Sequence, residues 1–487
     1  HRLTPGNGRL TSYNARLTSY NARLTSGNAC LTSYNARLTS HNAHLTPGNG
    51  RLIPPQQVCQ NAESFRIRSK EKKMSEKPLR ILHFADAHID IANYGRHDPH
   101  TALPIRVMDF LAALDQIVET AVSEPVDLVI FAGDAYKDRN PQPTFQREWG
   151  KRMMRLSQAG IPTLLLVGNH DVSPAAGRAH TLHEFATLDV PHIHVADTIR
   201  LFGPEELGVP AQIIAVPWVS ASRFMAYEEL ADKAREDILT AAEDVVAERV
   251  NGLIAAARPD LPLILTAHAS VQGAVFGSER TVMLGHELVL SGGLVNDRRL
   301  DYVALGHIHK HQCLSANGSH PPVVYPGSIE RIDFGEAKEQ KGFVLATISR
   351  GQTQWRFQKL ETRRFIDIKI DTASADTFMA DIMSQLPDPE RVKGAICRVQ
   401  LNYPRDWEPL LDENALNDYF AAALSMQIQK HRQLEKRVRL GDTVAVEEMT
   451  AADLLSTYWR TSGLDEAEIE AMQALAAEVI EQLTDNT

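Results

Sequence analysis

Five short apolar runs in this chain each end in a cluster of Asp, Asn or His, and that recurrence limits the fold more than any other feature. FADAH supplies Asp86 and His88, FAGDAY supplies Asp134, and LVGNHD supplies Asn169, His170 and Asp171. Further on, LTAHAS supplies His268, and ALGHIHK supplies His307 and His309. Runs of this length, rich in Val, Ile and Leu, are strand-sized. Strands alternating with helical stretches build an α/β domain. In open α/β sheets the carboxyl ends of the strands converge on one crevice, so side chains far apart in sequence are expected to meet.

The expected strands are Arg80–Ala85, Asp127–Ala132, Pro162–Val167, Gln212–Val216, Pro262–Ala267, Asp301–Leu305 and Pro322–Tyr325. Helical stretches include Thr144–Ala159 and Arg223–Ala257. After Ile348 the pattern changes. Arg364–Ile370 and Gly394–Leu401 read as strands around a helix Ala373–Gln385, and Asn414–Lys436 reads as helical. A polar link, Arg437–Glu448, leads to two helices, Thr450–Thr461 and Asp465–Leu483, parted at Gly463, a residue type that caps helix C-termini. Thr450 and Asp453 resemble a capping box. The apolar stripes of these helices, among them Tyr458, Trp459, Met472 and Leu475, are too wide for a hairpin to bury on itself.

A seven-residue repeat, RLTSYNA and its variants, opens the chain and continues to Gly50. One leucine per repeat cannot form a coiled-coil seam, and the unit is too short for a solenoid. Residues 1–73 therefore read as a translated tandem repeat and linker, and Met74, directly before the first strand, as the natural start. Net charge follows the same division. Eleven Lys and Arg stand against two Asp and Glu before Met74, and 40 against 59 from there on. An acidic body argues against a broad basic face as the only means of holding nucleic acid. The four cysteines contain no C-x-x-C pair, which excludes a disulfide scaffold and a cysteine zinc site and fits a reducing cytosol. No apolar run approaches the roughly 18 residues of a membrane span.

Asp86, His88, Asp134, Asn169, His268, His307 and His309 are too many ligands for one tetrahedral zinc. They suit two ions sharing a bridging carboxylate, the arrangement that hydrolyses phosphoesters. Other histidines read differently. His83 alternates within a strand as a packed core residue, His192 and His194 belong to a strand start, and His97, His100, His180 and His183 read as surface residues.

In order, D-x-H, G-D, G-N-H-D, H and G-H-x-H resemble the calcineurin-like metallophosphoesterase superfamily. Within it, FAGDAYKDRNPQP, LLLVGNHD, LTAHASVQGA, LGHIHKHQ and above all VVYPGSIERIDFGE resemble the bacterial SbcD exonuclease subunits, relatives of the double-strand-break repair nucleases. The likeness is strong over Leu79–Lys341 and looser beyond. It implies an α/β/β/α sandwich over residues 74–348, a small α+β capping domain over 349–436, and a linker and C-terminal helical hairpin over 437–487.

The resemblance also implies one metal ion held by Asp86, His88, Asp134 and His309, and another by Asp134, Asn169, His268 and His307, with manganese preferred. His170 would act catalytically beside the scissile phosphate, with Asp171 orienting it. Lys137 stands where some members carry a second non-ligand histidine. The implied protein is a cytoplasmic manganese-dependent DNA exonuclease and endonuclease. It would act as a homodimer with an SbcC-type coiled-coil ATPase gripped by the terminal hairpin, away from any membrane. The alternatives are a phosphatase or cyclic-nucleotide phosphodiesterase of small molecules, and a non-catalytic scaffold.

Overall fold

The computed structural model describes residues 77–172, 178–219, 235–277, 287–315, 318–433, 450–461 and 464–484, all within one unit, Ser75–Thr487. The repeat, Met74, the link at 437–448 and Gly463 lie outside them.

Strands β1 (Leu79–Phe84), β2 (Leu128–Phe131), β3 (Thr163–Leu166) and β4 (Ile193–Ala196) pair in parallel. β5 (Arg200–Phe202) turns back antiparallel onto β6 (Gln212–Val216), which runs parallel to β7 (Leu263–His268). β8 (Ser270–Val271) and β9 (Val289–Leu290) form a small pair of their own. β10 (Tyr302–Gly306) lies beside β7, followed by β11 (Gln312–Cys313) and β12 (Val323–Tyr325). The hairpin of β13 (Gly342–Ser349) and β14 (Gln352–Lys359) returns to the first sheet, where β13 pairs antiparallel with β1. Two six-stranded sheets result, β14-β13-β1-β2-β3-β4 and β11-β12-β10-β7-β6-β5.

The period of two in the strands divides the core into layers. Leu79 and Ile81 of β1 face inward with Leu128, Ile130 and Leu164, and meet Ile213, Ile264, Tyr302 and Val324 of the second sheet. Leu82 and Phe84 point the other way, onto the helices Ile105–Ser123 and Pro143–Gln158. The first of these buries Val107, Phe110, Leu114, Ile117 and Ala121, spaced three or four residues apart as one helical face requires. Helix Arg235–Ala256 covers the outer face of the second sheet through Val246, Val250 and Ile254. The architecture is the α/β/β/α sandwich. The strands expected here lie within two residues of those observed. The first sheet continues through β14, past the break expected after Ile348.

β15 (Phe365–Asp371), β16 (Ile396–Pro404) and β17 (Ser425–Gln433) form a separate three-stranded parallel sheet with its own core, covered by helices Phe378–Ser384 and Glu413–Tyr419. The single helix expected over Asn414–Lys436 is therefore incorrect. It stops at Tyr419, and the alternation that puts Met426 and Ile428 on the core has the two-residue period of a strand. Helices Ala451–Thr461 and Glu466–Thr484 pack on each other. The first opens on the expected capping box, with the Asp453 N–H donating to Thr450 Oγ1 and the Thr450 N–H to Asp453 Oδ2. Among the described residues, no helix is long and apolar enough to cross a membrane.

Candidate metal centre

The carboxyl ends of β1, β2, β3, β7 and β10 meet along one rim where the two sheets face each other. Each strand is followed by a sharp turn that aims a side chain inward. Asp86, His88, Asp134 and His307 all take positive φ, a conformation that side-chain-bearing residues adopt at a cost and that clusters at functional sites. Two glycines make room. A Cβ on Gly168 would collide with the Asp134 carboxylate, and one on Gly133, itself at φ 100°, with the His268 ring. These turns are also tied to one another: the Asp86 N–H donates to the Gly133 carbonyl at 2.9 Å and the His307 N–H to Asp86 Oδ1 at 3.0 Å.

All seven expected ligands lie in this rim, each 9% exposed or less. Asp86, His88 and His309 bring ligand atoms within 4.8 Å of one another, as do Asp86, Asp134 and His268. Asp134 Oδ2 lies 3.3 Å from His268 Nε2 and 3.9 Å from His88 Nε2, between the two groups. Asn169 Oδ1 completes the second group, 2.9 Å from His268 Nε2 and 3.1 Å from His307 Nδ1.

The imidazoles show what the site accepts. Each binds outward through one nitrogen: His88 Nδ1 to the Tyr136 carbonyl at 3.1 Å, His268 Nδ1 to the Ala132 carbonyl at 2.7 Å, His309 Nδ1 to Glu336 at 3.0 Å and His307 Nε2 to Glu287 at 2.7 Å. With the outer nitrogen as donor, the inner nitrogen presents a lone pair. His88 Nε2 and His309 Nε2 accordingly face each other at 3.2 Å. Lone pairs converging with carboxylate and amide oxygens form a cation-binding set, and outward partners of this kind orient metal-bound histidines. The same field attracts positive charge: burial alone would depress His268, but the Asp134 carboxylate overrides it and lifts the ring to about 9, so a proton competes with a metal ion for the inner nitrogen of this one histidine. The residues fit two divalent ions.

Glu287, Glu336 and Lys341 were not expected as parts of the site. Glu336 is fully buried, and although burial disfavours its charge, Lys341 and His309 hold it at about 2. Lys341 bonds both the Glu336 carboxylate at 2.9 Å and the His309 carbonyl at 3.1 Å. The segment YPGSIERIDFGE thus wraps His309: Ser328 donates its N–H to the His309 carbonyl and Glu336 holds the ring. That segment is prominent in the sequence, whereas Glu287 carries no signal there.

His170 and Asp171 need separate descriptions. The His170 N–H donates to Asp134 Oδ1 at 2.8 Å, and its Nδ1 bonds the Lys137 carbonyl at 2.8 Å. Nε2 points outward, 3.5 Å from Lys137 Nζ. Both residues line a cleft of about 1210 Å³ together with His97, Asp138, Arg139 and Asn140. Asp171 does not orient His170, contrary to expectation. Its carboxylate accepts N–H groups from Asp134, Ala135 and Gly168 and the Thr181 hydroxyl. It binds the turns after β2 and β3 together, and the Lys137 carbonyl takes the orienting role. His83 is a core residue as expected, bonded to Tyr302 and the Leu305 carbonyl.

Residues 79–311 match the family described as calcineurin-like phosphoesterase. Three relatives illustrate the range of similarity. An uncharacterized metallophosphoesterase, YhaO of Bacillus subtilis, is 25% identical over 369 residues, covering 73% of this chain and 79% of its own. The DNA double-strand break repair protein Mre11 of Archaeoglobus fulgidus is 26% identical over 61% of this chain and 63% of its own. A component of the nuclease SbcCD of Escherichia coli K12 is 25% identical over 57% of this chain and 66% of its own. The chain thus spans just under two thirds of the latter two proteins.

Proposed function

We propose that this chain is a metal-dependent phosphodiesterase of the calcineurin-like kind and that it cuts DNA. The observation that carries the reading is the meeting of seven buried ligands from five strand ends beside a cleft walled by His170 and Lys137. Similarity to the DNA repair protein Mre11 and to the nuclease SbcCD supports DNA as the substrate.

Asp86, His88, Asp134 and His309 would hold one ion, and Asp134, Asn169, His268 and His307 the other. Manganese is proposed from the resemblance; the mix of carboxylate, amide and imidazole suits it, as it equally suits iron or zinc. Bound ions of this kind acidify a water and offset charge on the phosphoryl oxygens. His170, its Nδ1–H donating to the Lys137 carbonyl, turns Nε2 to the cleft, where its protonated form can donate a hydrogen bond or proton to the leaving oxygen. Lys137 offers a positive charge to a phosphate oxygen, and the N–H groups of Lys137 and Asp138 donate to Asp90, which fixes that loop.

A coiled-coil ATPase is the proposed partner and the terminal hairpin its docking element. Trp459 and Ile469 are buried between the helices, but Tyr458, Met472 and Leu475 remain 56%, 42% and 62% exposed. Homodimerisation and a cytoplasmic setting rest on the resemblance; free Cys313 and Cys397 fit a reducing compartment. Deleting residues 448–487 should abolish association with the ATPase, and retained association removes that assignment.

One observation favours the small-molecule alternative. Three basic residues of the three-stranded sheet are engaged by their own carboxylates: Arg398 by Asp367, Lys430 by Glu413 and Arg432 by Glu408. They are poorly placed to grip a DNA backbone. The deciding experiment measures manganese-dependent cutting of DNA hairpins and duplex ends, with and without the ATPase. Cutting in either condition supports the nuclease; turnover of cyclic nucleotides with no DNA cutting in both overturns it.

A further inference from the structure

Another cluster of metal-ligating side chains lies apart from the seven ligands. His183 opens the short helix His183–Thr187, His180 stands three residues before it, and Asp197 follows β4. The His183 N–H donates to the His180 carbonyl at 3.1 Å, and this turn brings two imidazoles three residues apart to one side. Their rings meet edge to face with centroids 5.0 Å apart. From the carboxyl end of β4, Asp197 Oδ2 comes within 3.7 Å of His180 Nε2. One ligand atom from each of the three lies within 4.8 Å of the other two. The expectation that both histidines are ordinary surface residues fails for His180, whose side chain is 8% exposed.

The geometry points to a further metal site, formed by His180, His183 and Asp197 and suited to a divalent cation of the zinc class. The spacing is the first reason. A charge-assisted N–H···O bond between imidazolium and carboxylate closes to about 2.7–2.9 Å, which this pair does not reach. Two donors each 2.0–2.1 Å from a tetrahedral ion stand roughly 3.3 Å apart, near what is observed. The donor types are the second reason. Two imidazoles and one carboxylate suit zinc, whereas magnesium and calcium take mostly oxygen ligands. A cavity of about 550 Å³ adjoins both histidines and gives water access to the remaining coordination position.

The site is a tether and takes no part in the chemistry. Thr181, next to His180, donates its N–H to the Asp171 carbonyl at 3.0 Å and its hydroxyl to Asp171 Oδ1 at 2.8 Å. An ion joining His180 and His183 to Asp197 fastens the turn His180–His183 to the edge of the first sheet, and so, through Thr181, steadies Asp171, which holds the turns after β2 and β3. This inference does not depend on the substrate being DNA.

The test counts zinc. The full chain is stripped with chelator and dialysed against micromolar Zn²⁺, and wild type is compared with His183→Gln and Asp197→Asn, both at solvent-exposed positions. Each variant should bind one ion per chain fewer and lose part of the zinc-dependent rise in Tm, with an unchanged far-ultraviolet circular dichroism spectrum. Equal zinc counts in wild type and both variants overturn the proposal. Crystals of the wild type grown with Zn²⁺ decide the matter without any variant. Anomalous scattering at the zinc edge should peak between the three side chains, and no peak there also overturns it. Neither readout involves DNA, so failure of the nuclease reading leaves both intact.

Discussion

Glu336 Oε1 lies 3.0 Å from His309 Nδ1, and its other oxygen is paired with Lys341 at 2.9 Å, so a single buried carboxylate connects a candidate metal-ligand histidine to a buried lysine. Replacing Glu336 with Gln keeps the shape and an acceptor oxygen but removes the charge that Lys341 pairs with. Loss of such an outer partner typically lowers metal affinity about 10–100-fold. Glu336→Gln should therefore raise the manganese concentration for half-maximal activity by that factor, while kcat at saturating metal changes less. An unchanged metal titration would show that Glu336 serves only the packing.

His170 takes its position from the Lys137 carbonyl and the Asp134 carboxylate and lies beside the candidate ligands as a separate element of the site. His170→Gln should lower kcat by about 10²–10⁴, the usual contribution of a positioned acid. The metal content, measured by atomic emission, should stay that of wild type. Cutting at the wild-type rate would remove His170 from the chemistry.

Lys137 Nζ stands at the mouth of the cleft, 3.5 Å from His170 Nε2. A hydrogen bond to a charged group contributes about 1.5–3 kcal/mol, so Lys137→Met should cost roughly 10–100-fold in kcat/KM. If the lysine binds phosphate, most of that loss appears in KM, and Lys137→Arg recovers part of it. A loss confined to kcat would instead place Lys137 in the proton transfer.

Most of the rim is legible in the sequence because each ligand follows an apolar strand, and parallel sheets bring strand carboxyl ends together. Partners that act through space are not. Glu287 precedes the two-residue strand β9, and only the fold carries it to His307. Asp171 looks like a partner for His170 because the two are adjacent in sequence, yet its carboxylate faces the backbone of the neighbouring turns. The error at Asn414–Lys436 is similar. Its helix-forming residues suggest a helix by propensity, while the alternation around Met426 and Ile428 records the sheet it joins.

His83 makes folding stability depend on pH independently of the metal centre. Its ring is fully buried between the sheets, with Nδ1 accepting from the Tyr302 hydroxyl at 3.0 Å and Nε2 donating to the Leu305 carbonyl at 3.2 Å. Burial disfavours the imidazolium and pushes the pKa down from 6.5 to about 3, although the bond to Leu305 works the other way. Above about pH 6.5 the ring is neutral in both the folded and the unfolded chain and contributes no pH dependence. As pH falls from 6.5 towards 3, the unfolded chain takes up a proton that the folded chain refuses, and stability falls by up to about 1.4 kcal/mol per pH unit. His83→Phe should lower stability at pH 7 by about 1–3 kcal/mol, because the Tyr302 hydroxyl loses its acceptor. The variant lacks the His83 slope, so its deficit against wild type should shrink by about 2 kcal/mol between pH 7 and pH 5. Urea titrations of both proteins at the two pH values test this, since every other titrating group is common to both. A deficit of the same size at both pH values would mean that His83 takes up a proton as readily in the folded chain as in the unfolded one.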